Sequence, residues 1–198
     1  MIFAKFLSYT FHPIVIPTLA VLFLFIGINH EIRSQSNLTI LGVVFFFSYM
    51  IPVLVLLLLK RNGKIDSLSI PEVAQRKTPI MIGTFISCIL YIYSLIILGD
   101  FYLSCFFLGC IVSSLLLYVG QTRGLKISIH MTGITSLVGF LVIISYTSKI
   151  DLLVYLGALI LLSGLIAYSR LRLKAHNANE LLMGSIVGFG GQLISIFL

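Results

Sequence analysis

The 198-residue chain is short of charge: charged residues make up 10% of it, and Asp and Glu together number only 6, where a soluble domain carries about 25% charge. So few ionisable groups cannot cover a compact body of this size, which excludes an ordinary water-soluble globule. Tryptophan is absent. Interfacial aromatic positions therefore fall to Tyr and Phe, and Tyr9, Tyr118, Tyr146 and Tyr168 stand near the ends of apolar runs. The 3 cysteines, Cys88, Cys105 and Cys110, all lie inside apolar runs with no CxxC and no histidine at ligand spacing. They give no zinc or redox signature and read as small packing residues. There is also no repeat with a period of roughly 20–50 residues and no low-complexity tract.

What is present is hydrophobicity: 59% apolar residues and a mean hydropathy of +1.14. Seven runs approach the roughly 20 apolar residues that cross a bilayer as a helix. They are 11–28, 38–59, 80–98, 101–119, 131–146, 152–168 and 181–198. Lys5 precedes the first, but no small-residue cleavage site follows, so this run is expected to stay as a span. Only Gly99-Asp100 separates the third run from the fourth, and one helix through both would be about 60 Å long, twice the hydrocarbon core. A tight hairpin, or a span with a re-entrant piece, is expected. The fold class implied is an all-α polytopic bundle of six or seven spans in one membrane domain.

If every run spans, the N-terminus and the segments 60–79, 120–130 and 169–180 share one side, and 11 of the 13 Lys and Arg residues lie there. Such a bias places that side in the cytoplasm. It also accounts for the net charge of +7 through the bilayer, with no nucleic acid as partner. The span interiors hold no Lys, Arg, Asp or Glu, which argues against a transporter or channel.

Three same-side segments carry ionisable or hydroxyl groups where apolar runs begin or end. They are Gln75-Arg76-Lys77-Thr78-Pro79, Lys126-Ile127-Ser128-Ile129-His130, and Ser169-Arg170 followed by His176 and Glu180. In a membrane protein such groups are functional candidates by default. Their order resembles the three-part signature of the type 2 phosphatidic acid phosphatase superfamily: Lys-x6-Arg-Pro, Pro-Ser-Gly-His and Ser-Arg-x5-His-x3-Asp. Ser169, Arg170, His176 and Glu180 reproduce the third part's spacing, with Glu in place of Asp. Ser128 and His130 match the second part, with Ile127 and Ile129 in place of Pro and Gly. In the first part Arg76 is followed by Lys77-Thr78 before Pro79, and Ser69 stands where the upstream lysine would be; neither Lys77 nor Lys64 has the family's spacing.

The residue types suit a metal-independent phosphoryl transfer without a cofactor. A phosphomonoester carries up to two negative charges, and the forked guanidinium groups of Arg76 and Arg170, with Lys77, Ser128 and Ser169 beside them, can grip its oxygens. His176 can attack phosphorus, Glu180 can orient its ring, and His130 can protonate the leaving group and then activate water. The resemblance thus implies a membrane lipid phosphatase acting through a phosphohistidine, and a bacterial inner-membrane location, where such relatives often work on the outer face. The bilayer and a lipid phosphate are the expected partners.

Each element also has a plainer reading. His176 and Glu180 make an i,i+4 pair at a membrane interface, and Arg170, Arg172 and Lys174 can snorkel to lipid phosphates; for Arg172 and Lys174 that reading is preferred. Arg76-Lys77 doubles as a topology signal, and His12-Pro13 reads as the start of a helix, with a place in the site as the alternative. Asp66 and Glu72 can balance the basic cluster or gate it. The alternative function is a catalytically weak or inactive relative that binds anionic lipid head groups, which the altered first motif and Glu180 favour.

Overall fold

The computed structural model describes residues 1–25, 35–67, 70 and 72–198; His30, Arg33, Ser69 and the last residues of the first apolar run lie outside them. The architecture is all-α. Among the described residues, six helical stretches are long and apolar enough to cross a membrane: Ile2–Leu24, Ser36–Arg61, Ala74–Leu98, Phe101–Thr122, Ile129–Ser148 and Leu153–Arg172.

The first stretch is not one rod. Helix α1 (Ile2–Thr10) ends at Phe11, a turn of 3-10 helix covers Pro13–Val15, and α2 (Ile16–Leu24) follows. Proline has no N–H to continue a helix and pushes the preceding residue to extended backbone, here His12 at φ −64 and ψ 141. The second stretch runs through α3 (Gln35–Phe45), a π-helical turn at Phe46–Met50 and α4 (Ile51–Arg61). Pro52 would drive its ring into the carbonyl four residues back. The ladder widens just upstream instead, with the Ile51 N–H bonding to the Phe46 carbonyl.

The expected hairpin is present. Helix α5 (Lys77–Ile92) continues through a π-helical stretch to Leu98, Gly99 takes the left-handed conformation at φ 61, and Asp100 opens α6 (Phe101–Thr122) by accepting the Leu103 N–H at 2.9 Å. Helices α7 (Ile129–Ser148), α8 (Leu153–Arg172) and α9 (Ala178–Ser195) complete the chain.

Helix α7 is the hub, with twelve buried residues from Met131 to Ile144. Its partner is α9, one of the three more polar expected spans, which packs between α7 and α6. Small residues let these backbones approach. A Cβ on Gly188 would meet the Thr132 carbonyl, and one on Gly184 the Ser128 carbonyl. Hydroxyls stitch the same seams: Thr135 to the Ser185 carbonyl at 3.2 Å, Ser136 to that of Gly188 at 3.2 Å, and Ser113 on α6 to that of Val187 at 3.1 Å. In lipid, where no hydrophobic force pulls helices together, close packing and such bonds carry association. The outward residues, among them Phe85, Ile96, Leu161 and Ile186, are exposed and apolar, as a lipid-facing surface requires.

Candidate functional site

Four segments meet at one end of the bundle: the three motif segments and the N-terminal one, where the sequence offers His12 a place in the site only as an alternative. A 3-10 turn at Ala74–Arg76 delivers Arg76, which is 4% exposed. Its Nε donates to the Ile70 carbonyl at 2.8 Å and its Nη1 to that of Ile127 at 3.4 Å, so the start of α5 is tied to the start of α7. Ser128 caps α7, and its backbone N–H donates to the Glu180 carbonyl at 3.1 Å. That bond brings the first turn of α7, with His130, against the first turn of α9. Ahead of Arg76 the chain is pinned by Gln75, whose Nε2 donates to Asp66 at 2.7 Å.

The third segment is built on a cap. Helix α9 begins only at Ala178, so His176 precedes it and the i,i+4 helical-face argument does not apply. Asn177 and Glu180 form a capping box instead: Glu180 N–H donates to Asn177 Oδ1 at 2.9 Å, and Asn177 N–H to Glu180 Oε2 at 3.4 Å. The same Oε2 lies 2.7 Å from Nδ1 of His176. A reciprocal cap needs a side chain that folds back to the N-cap backbone, which Glu at this position does. This gives a physical reason for Glu where the resembled signature has Asp.

The fourth segment is the N-terminus. Arg170, near the end of α8, donates from Nη1 to the Ser8 hydroxyl at 2.6 Å, and Nε2 of His130 lies 3.2 Å from the Ser8 carbonyl. His12 packs edge-to-face on His130 with ring centroids 5.2 Å apart, and its Nδ1 accepts the Ile14 N–H.

His12, Arg76, His130, Arg170 and His176 line the polar end of one cavity of about 270 Å³. Beyond them it runs between the spans along Ile16, Pro52, Ile82, Ile86, Leu90 and Phe107. Leu90 is fourteen residues along the helix from Arg76, about 21 Å at 1.5 Å per residue. Arg170 is 8% exposed and its Nε has no hydrogen-bond partner among the described residues. Glu180 is already shared between the cap and His176, and Glu72 stands within charge range of Arg76. A buried guanidinium whose Nε no described group takes, as at Arg170, calls for an anion. Burial pushes the His176 imidazole down to about 4, and Arg170 and Arg76 act in the same direction against the hydrogen bond from Glu180. Its ring is neutral at pH 7.

Three expected site residues stand elsewhere. Lys77 lies in a shallow groove on the outer face with Thr78, Met81 and Phe85. The Ser169 hydroxyl is fully buried and donates to the Ala4 carbonyl at 2.6 Å, anchoring α1 to α8. Ser128, also fully buried, accepts the Met131 N–H at the α7 cap. Conversely, Ser8 carries no motif signal. It is a small polar residue on the buried face of α1, with Ala4 and Leu7, and only that placement within an amphipathic turn could have marked it. No known family model, curated protein or solved structure matches the chain.

Proposed function

We propose that this protein is an integral-membrane phosphatase that hydrolyses a lipid phosphomonoester or diphosphate through a phosphohistidine. One observation carries the reading: two buried guanidinium groups and three imidazoles converge on a cavity between the spans whose remaining lining is mostly apolar, with a few hydroxyls. A ligand matching it has an anionic head and an apolar tail. The residues supply each step in turn. Arg76 and Arg170 hold the phosphate oxygens. His176, neutral and held at Nδ1 by Glu180, uses Nε2 to attack phosphorus as the bond to the leaving oxygen breaks. The bare Nδ1 of His130 takes the proton that the phosphate monoanion carries and passes it to that oxygen. Water then attacks the phosphohistidine, His130 takes the water's proton, and inorganic phosphate leaves with His176 restored.

The test is phosphate release from a panel of lipid phosphates by the purified protein in detergent with chelator present, wild type against His176→Ala. Release that vanishes in the variant supports the mechanism. Equal release from both, or none from any lipid, overturns it, and the head-group-binding reading is then taken up with vesicles of phosphatidic acid. The charge bias supports a cytoplasmic face for the site, and the resemblance a bacterial inner membrane.

A further inference from the structure

We infer that Ser8 is a positioning residue for the anion site, and that α1 is part of that site. The inference rests on the reading of the Arg76–Arg170 cluster as an anion site.

Three hydrogen bonds join α1 to the site helices. Ser169 on α8 donates to the Ala4 carbonyl at 2.6 Å, Arg170 to the Ser8 hydroxyl at 2.6 Å, and His130 on α7 to the Ser8 carbonyl at 3.2 Å. Ser8 is 7% exposed, so water does not compete freely for either contact. One residue thus holds a cation from one helix and an imidazole from another.

The two contacts do different work. A carbonyl cannot donate, so the bond to His130 requires a proton on Nε2 and leaves Nδ1 of the neutral ring as its basic atom. The Ser8 carbonyl therefore fixes the tautomer of His130 as the Glu180 carboxylate fixes that of His176. The Ser8 hydroxyl, by taking Nη1 of Arg170, fixes the roll of the guanidinium plane. It leaves the unpartnered Nε as a donor for the anion. A fork that is already oriented loses less freedom on gripping phosphate than one that must be ordered at binding.

Affinity for inorganic phosphate separates this inference from the enzymatic one, because it does not require turnover. Isothermal titration of the full-length protein in detergent compares wild type, Ser8→Ala and Ser8→Thr, with Arg170→Ala as reference. Ser8→Ala, which removes the hydroxyl and keeps the carbonyl, is expected to weaken phosphate binding about tenfold, and Ser8→Thr to restore it to within about twofold, on the scale of a hydrogen bond to a charged group. The ¹⁵N shifts of His130 are expected to show protonated Nε2 and bare Nδ1 in all three Ser8 proteins. Equal affinity of wild type and Ser8→Ala, equal weakening by Ala and Thr, or no phosphate binding by wild type overturns the positioning role. If the Ser8 series behaves as expected while no lipid is hydrolysed, the phosphatase reading fails and the positioning role stands.

Discussion

The Glu180 carboxylate serves two masters at once: Oε2 lies 2.7 Å from Nδ1 of His176 and 3.4 Å from the Asn177 N–H that it caps. Helix initiation and histidine orientation are thereby one structural event. Gln also serves at the third position of a capping box, so Glu180→Gln is expected to keep the thermal midpoint of the protein in detergent while lowering phosphate release about a hundredfold or more, the scale of losing an orienting carboxylate. Glu180→Asp, one methylene shorter, is expected to lower both, since a displacement near 1 Å costs about a hundredfold in rate. Release assays with parallel thermal melts separate the two effects.

The pH dependence follows from His176. Its folded value of about 4 lies below the ordinary 6.5, so between these limits the unfolded chain binds the extra proton. The contribution is fully present above about pH 6.5 and is lost as the pH falls through about 4. The thermal midpoint is expected to fall over that window in wild type and to fall less in His176→Gln. Inorganic phosphate, by neutralising Arg170 and Arg76, is expected to move the imidazole midpoint upward, as read by NMR titration.

At Arg170 the fork matters more than the charge. Arg170→Lys keeps the charge but cannot present Nε and Nη donors in one plane. It is expected to lose about tenfold or more in phosphate affinity, with the helical content unchanged by circular dichroism.

The seam between α7 and α9 is expected to reject any side chain at Gly188, where a Cβ would collide with the Thr132 carbonyl and the Thr135 hydroxyl. Neither backbone can yield without parting the helices, so Gly188→Ala should destabilise by about 1–3 kcal/mol. Gly157, with nothing within 4 Å of its Cβ position, is the control. Gly157→Ala should be neutral or stabilising by up to about 1 kcal/mol.

Thr122 is exposed at the site end of α6, and a Thr122→Cys variant lacking the three native cysteines reports which side of the membrane that end faces. Protection from an impermeant thiol reagent in spheroplasts, with labelling after lysis, is the expected outcome for a cytoplasmic site. Labelling in intact spheroplasts reverses the orientation.

Much of the membrane architecture is a consequence of composition along the chain. Apolar runs of spanning length and the two-residue break at Gly99-Asp100 dictate the helices and their hairpin, because lipid leaves the backbone no other partner than itself. The spacing from Ser169 to Glu180 likewise carried the pairing of His176 with Glu180, since the two lie four residues apart. The sequence did not show that this pairing is made through a capping box rather than along a helix face, nor that Lys77 would point to the outer groove and Ser169 to the Ala4 carbonyl. Those outcomes depend on the direction in which each helix is rotated, and rotation is set by how α6, α7 and α9 pack through their glycines and hydroxyls. The role of Ser8 is the clearest case. It lies 122 residues from His130 and 162 from Arg170, and no local pattern links them. Only the docking of α1 against α7 and α8 brings one small hydroxyl and its carbonyl to both, because hydrogen bonds act over about 3 Å in space whatever the separation along the chain.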